Sequence, residues 1–155
     1  MIQIITLISI IFLAAVDQLT KYIVQQNIIG KETIVFIPKF LGWHYTENTG
    51  ASFSIFSGHV SFLAILTSVI IVVGIVLLMS KKIKFGFMYV GITLAISGGL
   101  GNLIDRILRG YVIDFIQTLF VDFAIFNFAD CLICIGAMLI FVDAILDFRK
   151  KKNDG

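Results

Sequence analysis

Four long apolar segments dominate this sequence, and they constrain its fold more than any other feature. They cover residues 2–24, 60–79, 87–108 and 126–146. Each is long enough to cross a bilayer as a helix, which takes about 20 residues. Because lipid offers the backbone no hydrogen-bonding partner, a lone apolar segment crosses it only as a helix. The sequence therefore predicts an all-α membrane protein with four transmembrane helices, forming a single domain over residues 1–155.

Composition excludes a soluble domain of this length. Of the 155 residues, 59% are hydrophobic and only 14% are charged, whereas soluble domains carry about 25% charged residues. A small core has too little volume to hide such an excess of apolar side chains. The first apolar segment has some features of a signal peptide, but no Lys or Arg precedes it. It is therefore predicted to be a retained helix.

The basic residues predict the orientation of the four segments. They concentrate in the connection 80–86 and in the tail 147–155. Because basic residues near membrane spans favour the cytoplasm, both termini and this connection are predicted to be cytoplasmic. The connections 25–59 and 109–125 then face outward from a multi-pass membrane protein. The basic tail is interpreted as a topology signal, and no nucleic-acid partner is predicted.

The first outer connection is too long and too apolar to be a simple linker. Residues 33–37 are β-branched and aromatic, and residues 41–46 alternate in polarity, as strands do. Trp43 and Tyr45 suit the interfacial layer where aromatic rings collect. We expect a small β-rich extracytoplasmic platform between helices 1 and 2. Residues 51–56 are compatible with either a strand or a short surface helix.

Several polar residues interrupt the apolar segments at helical spacing. Asp17 and Lys21 are four apart, as are Asn102 and Arg106, so each pair shares a helix face. The first pair either is a structural ion pair that orients the bundle or positions groups at an outer site. Arg106 needs a partner at this depth, either a carboxylate, which the adjacent Asp105 can supply, or backbone carbonyls.

Two further acids stand where apolar and polar segments meet. Asp114 follows the third segment, and Asp130 opens the fourth, three residues after Asn127. Two carboxylates in one dry site do not both ionise, so such a pair holds a single proton. The ionised member can take a proton from water while the other donates one to a peptide carbonyl. From the residues alone, paired acids also fit ion or proton translocation, and a non-catalytic lipid- or partner-binding scaffold stays open.

Other chemistries have weaker signals. Cys131 and Cys134 have the spacing of a redox motif, but their neighbours are apolar, which favours buried thiols. The two histidines, His44 and His59, are too few and too far apart for a zinc site. A Ser97–Lys21 dyad is left open, although Ser97 is expected to lie deeper in the bilayer. No metal and no cofactor are predicted.

Five short motifs, in order along the chain, resemble those of the bacterial lipoprotein signal peptidase (signal peptidase II) family. One such motif would be weak, but five in the family's order span most of the chain and are specific. They are Asp17-Gln-Leu-Thr-Lys21, Asn48-Thr-Gly-Ala-Ser-Phe53, Gly98-Gly-Leu-Gly-Asn-Leu-Ile-Asp-Arg106, Val112-Ile-Asp-Phe115 and Phe126-Asn-Phe-Ala-Asp130.

The resemblance implies an aspartic endopeptidase whose catalytic pair is Asp114 and Asp130. It implies removal of the signal peptide from prolipoproteins, by cleavage on the N-terminal side of a cysteine that carries diacylglycerol. The partners would be these lipidated substrates and membrane lipid. The protein would lie in the bacterial cell membrane, with its active site near the extracytoplasmic face. Supporting or substrate-binding roles are implied for Asp17, Lys21, Asn48, Gly50, Asn102, Arg106, Asn127 and Ala129.

Overall fold

The computed structural model describes residues 1–51 and 55–153. Part of the ambiguous segment 51–56, including Ser52 and Phe53 of the second motif, lies outside the described residues, as do residues 154–155. The predicted fold class is confirmed, because the described chain contains four helices long and apolar enough to cross a membrane, together with a small sheet. The helices are α1 (Ile2–Ile28), α2 (Val60–Met79), α3 (Phe87–Leu108) and α4 (Phe128–Asn153).

Two helices extend beyond the apolar segments that predicted them. Helix α1 continues through a polar Gln-Gln-Asn stretch to Ile28, and α4 continues through the basic tail to Asn153. A helix satisfies its own backbone, so it does not have to end where its apolar stretch ends. Helix α4 begins at Phe128, two residues after the predicted start, because Asn127 caps it.

Helix α3 is central, since it packs against each of the other three helices. It approaches α4 closely at Gly91 and Gly136. A Cβ atom added at Gly91 would lie 2.6 Å from the carbonyl oxygen of Gly136, so only small residues allow this crossing. The main hydrocarbon core fills the space between α1, α2 and α3 and contains Ile10, Ile71, Leu78, Tyr89, Ile96 and Leu103.

A three-stranded antiparallel sheet sits at one end of the bundle. Strands β1 (Ile34–Ile37) and β2 (Leu41–Asn48) come from the connection between α1 and α2, as predicted. The third strand, β3 (Val112–Thr118), comes from the connection between α3 and α4, where no strand was predicted. The strand order is β1-β2-β3. A second apolar cluster, of Val24, Ile28, Ile113 and Phe115, fixes β3 against the end of α1.

Candidate active site

Asp114 is held by the sheet rather than by a flexible loop. It lies in the middle of β3 opposite Thr46, and its neighbours Ile113 and Phe115 are buried. Asn48 lies two residues beyond Thr46 on β2, so its side chain projects on the same face. The Asn48 carboxamide Nδ2 donates to Asp114 Oδ2 at 2.9 Å. Pairing between β2 and β3 therefore positions Asp114, which is only 3% exposed.

Asp130 is held by the first turn of α4. Its Oδ2 accepts the backbone N–H of Asn127 at 3.1 Å, while its own N–H donates to Asn127 Oδ1 at 2.9 Å. This reciprocal arrangement is a capping box, in which residues three apart satisfy each other's backbone donors. Asn127 Nδ2 also donates to Asp114 Oδ1 at 2.6 Å. One asparagine thus contacts both acids.

Asp114 and Asp130 line the same cavity, whose volume is about 540 Å³. That volume lies within the roughly 300–1,000 Å³ of small-molecule clefts. Asn48, Asn102 and Arg106 also line it, so its polar groups converge around the two acids. The rest of the wall is largely apolar and includes Leu63, Thr67, Gly99, Ile133, Cys134 and residues 123–126.

The environment of Asp114 favours its protonated form. Burial, reinforced by the negative charge of Asp130, raises the pKa of Asp114 to about 6. The amide donors of Asn48 and Asn127 act in the opposite direction and limit this rise in pKa. Two acids that share a cavity in this way can hold one proton between them.

Asn102 connects this cavity to a buried ionic cluster. Its Nδ2 donates to Asp130 Oδ1 at 2.8 Å, and its Oδ1 accepts from Lys21 Nζ at 2.8 Å. Lys21 also pairs with Asp17 at 2.9 Å and with Asp105 at 2.8 Å, and all three charged groups are fully buried. The predicted pairing of Asp17 with Lys21 is therefore present, within a larger network that reaches Asp130.

The cluster also holds the ends of two other elements in place. Asp17 Oδ1 accepts the backbone N–H of Ala129 at 2.9 Å, which fixes the start of α4 against α1. Asp105 Oδ2 accepts the N–H of Ile113 at 3.2 Å, which fixes the start of β3 against α3. The elements that carry Asp130 and Asp114 are thus both anchored to one buried charge network.

Arg106 contacts backbone rather than the adjacent acid. Its Nη2 donates to the carbonyl oxygen of Gly50 at 2.9 Å, and its Nη1 donates to the carbonyl oxygen of Asn102 at 3.4 Å. Of the two alternatives for Arg106, backbone carbonyls are the observed partners. The adjacent Asp105 is not a partner, because consecutive residues on a helix do not face each other. Asp105 pairs with Lys21 and with Arg109, which lies just beyond the end of α3.

The thiols differ from expectation. Cys134 is exposed and Cys131 is partly buried, and both line the cavity, so the prediction of buried thiols was wrong. Helix α4 turns this face toward the cavity rather than into the hydrocarbon core. The Ser97–Lys21 alternative is not supported, because Ser97 Oγ donates to the Thr93 carbonyl and Lys21 bonds other groups.

Sequence reasoning missed two polar members of the cluster, Gln18 and Arg109. Gln18 Nε2 donates to Asp105 Oδ1 at 3.1 Å and to the Gly101 carbonyl at 3.0 Å. The four-residue spacing of Asp105 and Arg109 was a usable signal for their ion pair. Within residues 1–51 and 55–153, no group of three or more His, Cys, Asp or Glu side chains is arranged to hold a metal ion.

The family model described as signal peptidase (SPase) II matches residues 9–146. The chain belongs to the signal peptidase II family. This places it among peptidases, and its four apolar helices make it a multi-pass membrane protein.

Individual signal peptidase II relatives match over nearly the whole chain. The lipoprotein signal peptidase of Enterococcus faecalis is 40% identical over 141 residues, which cover 91% of this chain and 88% of that protein. The lipoprotein signal peptidase of Lactococcus lactis is 38% identical over 149 residues, which cover 96% of this chain and 99% of that protein. A solved structure of a bacterial membrane enzyme is 36% identical in sequence, with a TM-score of 0.87. The match covers 94% of this chain and 90% of that one.

Proposed function

We propose that this chain is a membrane-embedded aspartyl endopeptidase that removes the signal peptide from prolipoproteins. The curated relatives are named lipoprotein signal peptidases, which supports this substrate class. The observation that carries the proposed mechanism is the convergence of Asp114 and Asp130 on one cavity. Cleavage is proposed on the N-terminal side of a diacylglyceryl-modified cysteine.

In the proposed reaction, an ionised aspartate takes a proton from water, and the water oxygen attacks the scissile carbonyl carbon. The protonated aspartate donates to the carbonyl oxygen, which stabilises the tetrahedral intermediate. The carbon–nitrogen bond then breaks, and the leaving amine receives a proton from the pair. This is general acid–base catalysis by two carboxyl groups that share one proton.

The cavity suits a substrate that is partly peptide and partly lipid. Around the acids it presents carboxamides and a guanidinium, groups that hydrogen-bond an extended backbone. Away from them its wall is mainly hydrocarbon, from α2 and α4 among others, which suits an apolar chain. We propose that Asn48 and Arg106, together with the Gly50 carbonyl that Arg106 holds, help to position the scissile peptide.

The proposed orientation has both termini in the cytoplasm and the cavity near the extracytoplasmic face. Support comes from the basic connection 80–86, which precedes α3, whereas Arg106 lies at the opposite end of that helix. Translocation of ions is less well supported. Helix α2 contains no ionisable side chain, and hydrocarbon from α1, α2 and α3 fills the core.

The test is cleavage in detergent or liposomes by the purified protein, with lipidated and unlipidated forms of one prolipoprotein. We expect turnover of the lipidated form only, and loss of turnover in Asp114→Asn and Asp130→Asn. The matched control is Asp122→Asn, because Asp122 is exposed in the same outer connection and does not line the cavity. Retained turnover in either dyad variant would refute the mechanism, and equal turnover of both substrates would refute the proposed specificity.

A further inference from the structure

The four oxygens of the two acids each accept one N–H donor. Asn127 Nδ2 donates to Asp114 Oδ1 at 2.6 Å, and Asn48 Nδ2 donates to Asp114 Oδ2 at 2.9 Å. Asn102 Nδ2 donates to Asp130 Oδ1 at 2.8 Å, and the Asn127 backbone N–H donates to Asp130 Oδ2 at 3.1 Å. Hydrogen bonding therefore fixes both carboxyl groups and leaves one lone pair per oxygen for a proton or for water.

The three carboxamides share a feature that fixes their direction. A carboxamide presents its NH₂ group to a partner only if its oxygen finds a donor elsewhere. In each of these asparagines a separate donor occupies the oxygen: Gly50 N–H at 2.8 Å on Asn48, Lys21 Nζ at 2.8 Å on Asn102, and Asp130 N–H at 2.9 Å on Asn127. A flipped carboxamide would bring oxygen against carboxylate, so each NH₂ group stays directed at the acids.

The donors of the two acids differ in strength. Asn102 is polarised by the ammonium of Lys21, so its NH₂ group donates more strongly to Asp130 than a neutral amide would. Asp130 also lies in the first turn of α4, where the helix dipole favours a negative charge. Asp114 accepts hydrogen bonds from two carboxamides. It lies in a strand, which has no dipole comparable to that of a helix.

The charged groups on the packed elements also favour a negative charge on Asp130. Lys21 of α1 and Arg106 of α3 are the cations, and Arg106 interacts more strongly with Asp130 than with Asp114. Asp17 of α1 and Asp105 of α3 are the nearby carboxylates; they share Lys21, and Asp105 also pairs with Arg109. Helix α2 contributes no charge, and α4 adds the Cys131 thiol next to Asp130.

We infer that these oriented donors assign the two roles: Asp114 carries the shared proton and acts as the acid, and Asp130 is ionised and takes the proton from water. This inference rests on the proposed function. Asn48 and Asn102 become positioning residues that act on opposite members of the pair. The pKa of Asp114, raised to about 6, means that this residue holds a proton to a higher pH than an ordinary aspartate does.

The test is the pH dependence of kcat/KM for prolipoprotein cleavage in wild type, Asn48→Ala and Asn102→Ala. A hydrogen bond to a charged group is worth roughly one pKa unit. Asn48→Ala removes a donor that favours ionised Asp114, so the alkaline limb should move up by about one pH unit. Asn102→Ala removes a donor from Asp130, so the acidic limb should move up by a similar amount.

Each outcome is decisive. Shifts of the alkaline limb in Asn48→Ala and of the acidic limb in Asn102→Ala support the assignment. If each variant instead moves the other limb of the pH profile, the roles of Asp114 and Asp130 are reversed. If neither limb moves, the carboxamides do not assign the roles. If Asn102→Ala fails to fold, Asn48→Ala decides alone, because Asn48 ends a strand outside the helix bundle. Failure of the proposed function looks different, since wild type would then lack cleavage or Asp114→Asn and Asp130→Asn would retain it.

Discussion

The backbone of Gly98 in α3 lies directly against the carbonyl oxygen of Ala129 in α4. A Cβ atom at Gly98 would collide with that oxygen and would lie 2.9 Å from the Ile133 side chain. The next residue after Ala129 is Asp130, so the position of this acid depends on the absence of a side chain at Gly98. The glycine-rich motif of α3 thus serves the geometry of the cavity as well as helix packing.

Gly98→Ala should therefore impair catalysis by more than the addition of one methyl group would suggest. The added methyl group must push the first turn of α4 away, and overpacking typically costs about 1–3 kcal/mol. A misplacement of about 1 Å in a catalytic group can cost roughly 100-fold in rate. We expect kcat to fall by roughly 10- to 100-fold and the melting temperature in detergent to fall as well. Gly86→Ala is the control, because a Cβ atom there meets nothing within 4 Å.

Lys21→Met should destabilise the folded protein strongly. Lys21 is fully buried and pairs with Asp17 and Asp105. Its loss leaves both carboxylates buried, and Arg109 then pairs with Asp105 but not with Asp17. Breaking a buried ion pair by removing one partner costs about 3–5 kcal/mol. We expect reduced yield in membranes and a clear drop in thermal stability.

The matched control for this substitution is Lys151→Met. Lys151 forms an ion pair with Asp147 at 3.3 Å, at the same four-residue spacing, but both side chains are exposed. Exposed pairs contribute little, so this variant should melt like wild type. Equal destabilisation by the two substitutions would contradict the structural role given to the buried cluster.

The helices were predictable because membrane-spanning segments carry a strong local signal. Strand β3 was not predicted, although Val112, Ile113 and Phe115 favour a strand, because its partner β2 lies in a distant part of the chain. Its formation depends on contacts between distant parts of the chain, which local propensity does not contain. The prediction of a platform was right for the strands between α1 and α2 and incomplete for the sheet.

The same distinction applies to the site. Four-residue spacing within one helix predicted the pairing of Asp17 with Lys21. It did not reveal that Lys21 crosses to Asn102 and Asp105 on another helix. Those contacts depend on how α1 and α3 pack. The identity of the polar residues was thus visible in the sequence, whereas their hydrogen bonds and ion pairs were visible only in the tertiary structure.

Asp114 should make stability depend on pH in a defined window. Its pKa is raised to about 6 by burial and by Asp130, whereas an unfolded aspartate titrates near about 3.9. The folded protein therefore binds this proton more tightly, and the resulting stabilisation is full below about pH 4 and lost as pH rises through about 6. A difference of two pKa units corresponds to roughly 3 kcal/mol.

The measurement is the melting temperature of wild type and of Asp114→Asn across this range. Other carboxyl groups titrate in both proteins, so the difference between the two curves isolates Asp114 and its coupling to Asp130. We expect wild type to lose stability relative to the variant between about pH 4 and pH 6. A difference that stays constant over the window would contradict the raised pKa of Asp114.

Chemical modification of Cys134 should block the cavity. Cys134 is exposed and lines the same cavity as Asp114 and Asp130, whereas Cys131 is partly buried. An apolar maleimide that partitions into the membrane should react faster with Cys134 than with Cys131, and the bulk of the attached group should then exclude substrate.

The measurement is cleavage by maleimide-treated protein, each sample compared with its own untreated form. Treated wild type and treated Cys131→Ser should both lose cleavage. Cys134→Ser should resist the reagent, and substrate should slow labelling of wild type. If protein fully labelled at Cys134 still cleaves at its untreated rate, this thiol does not border the path of the substrate.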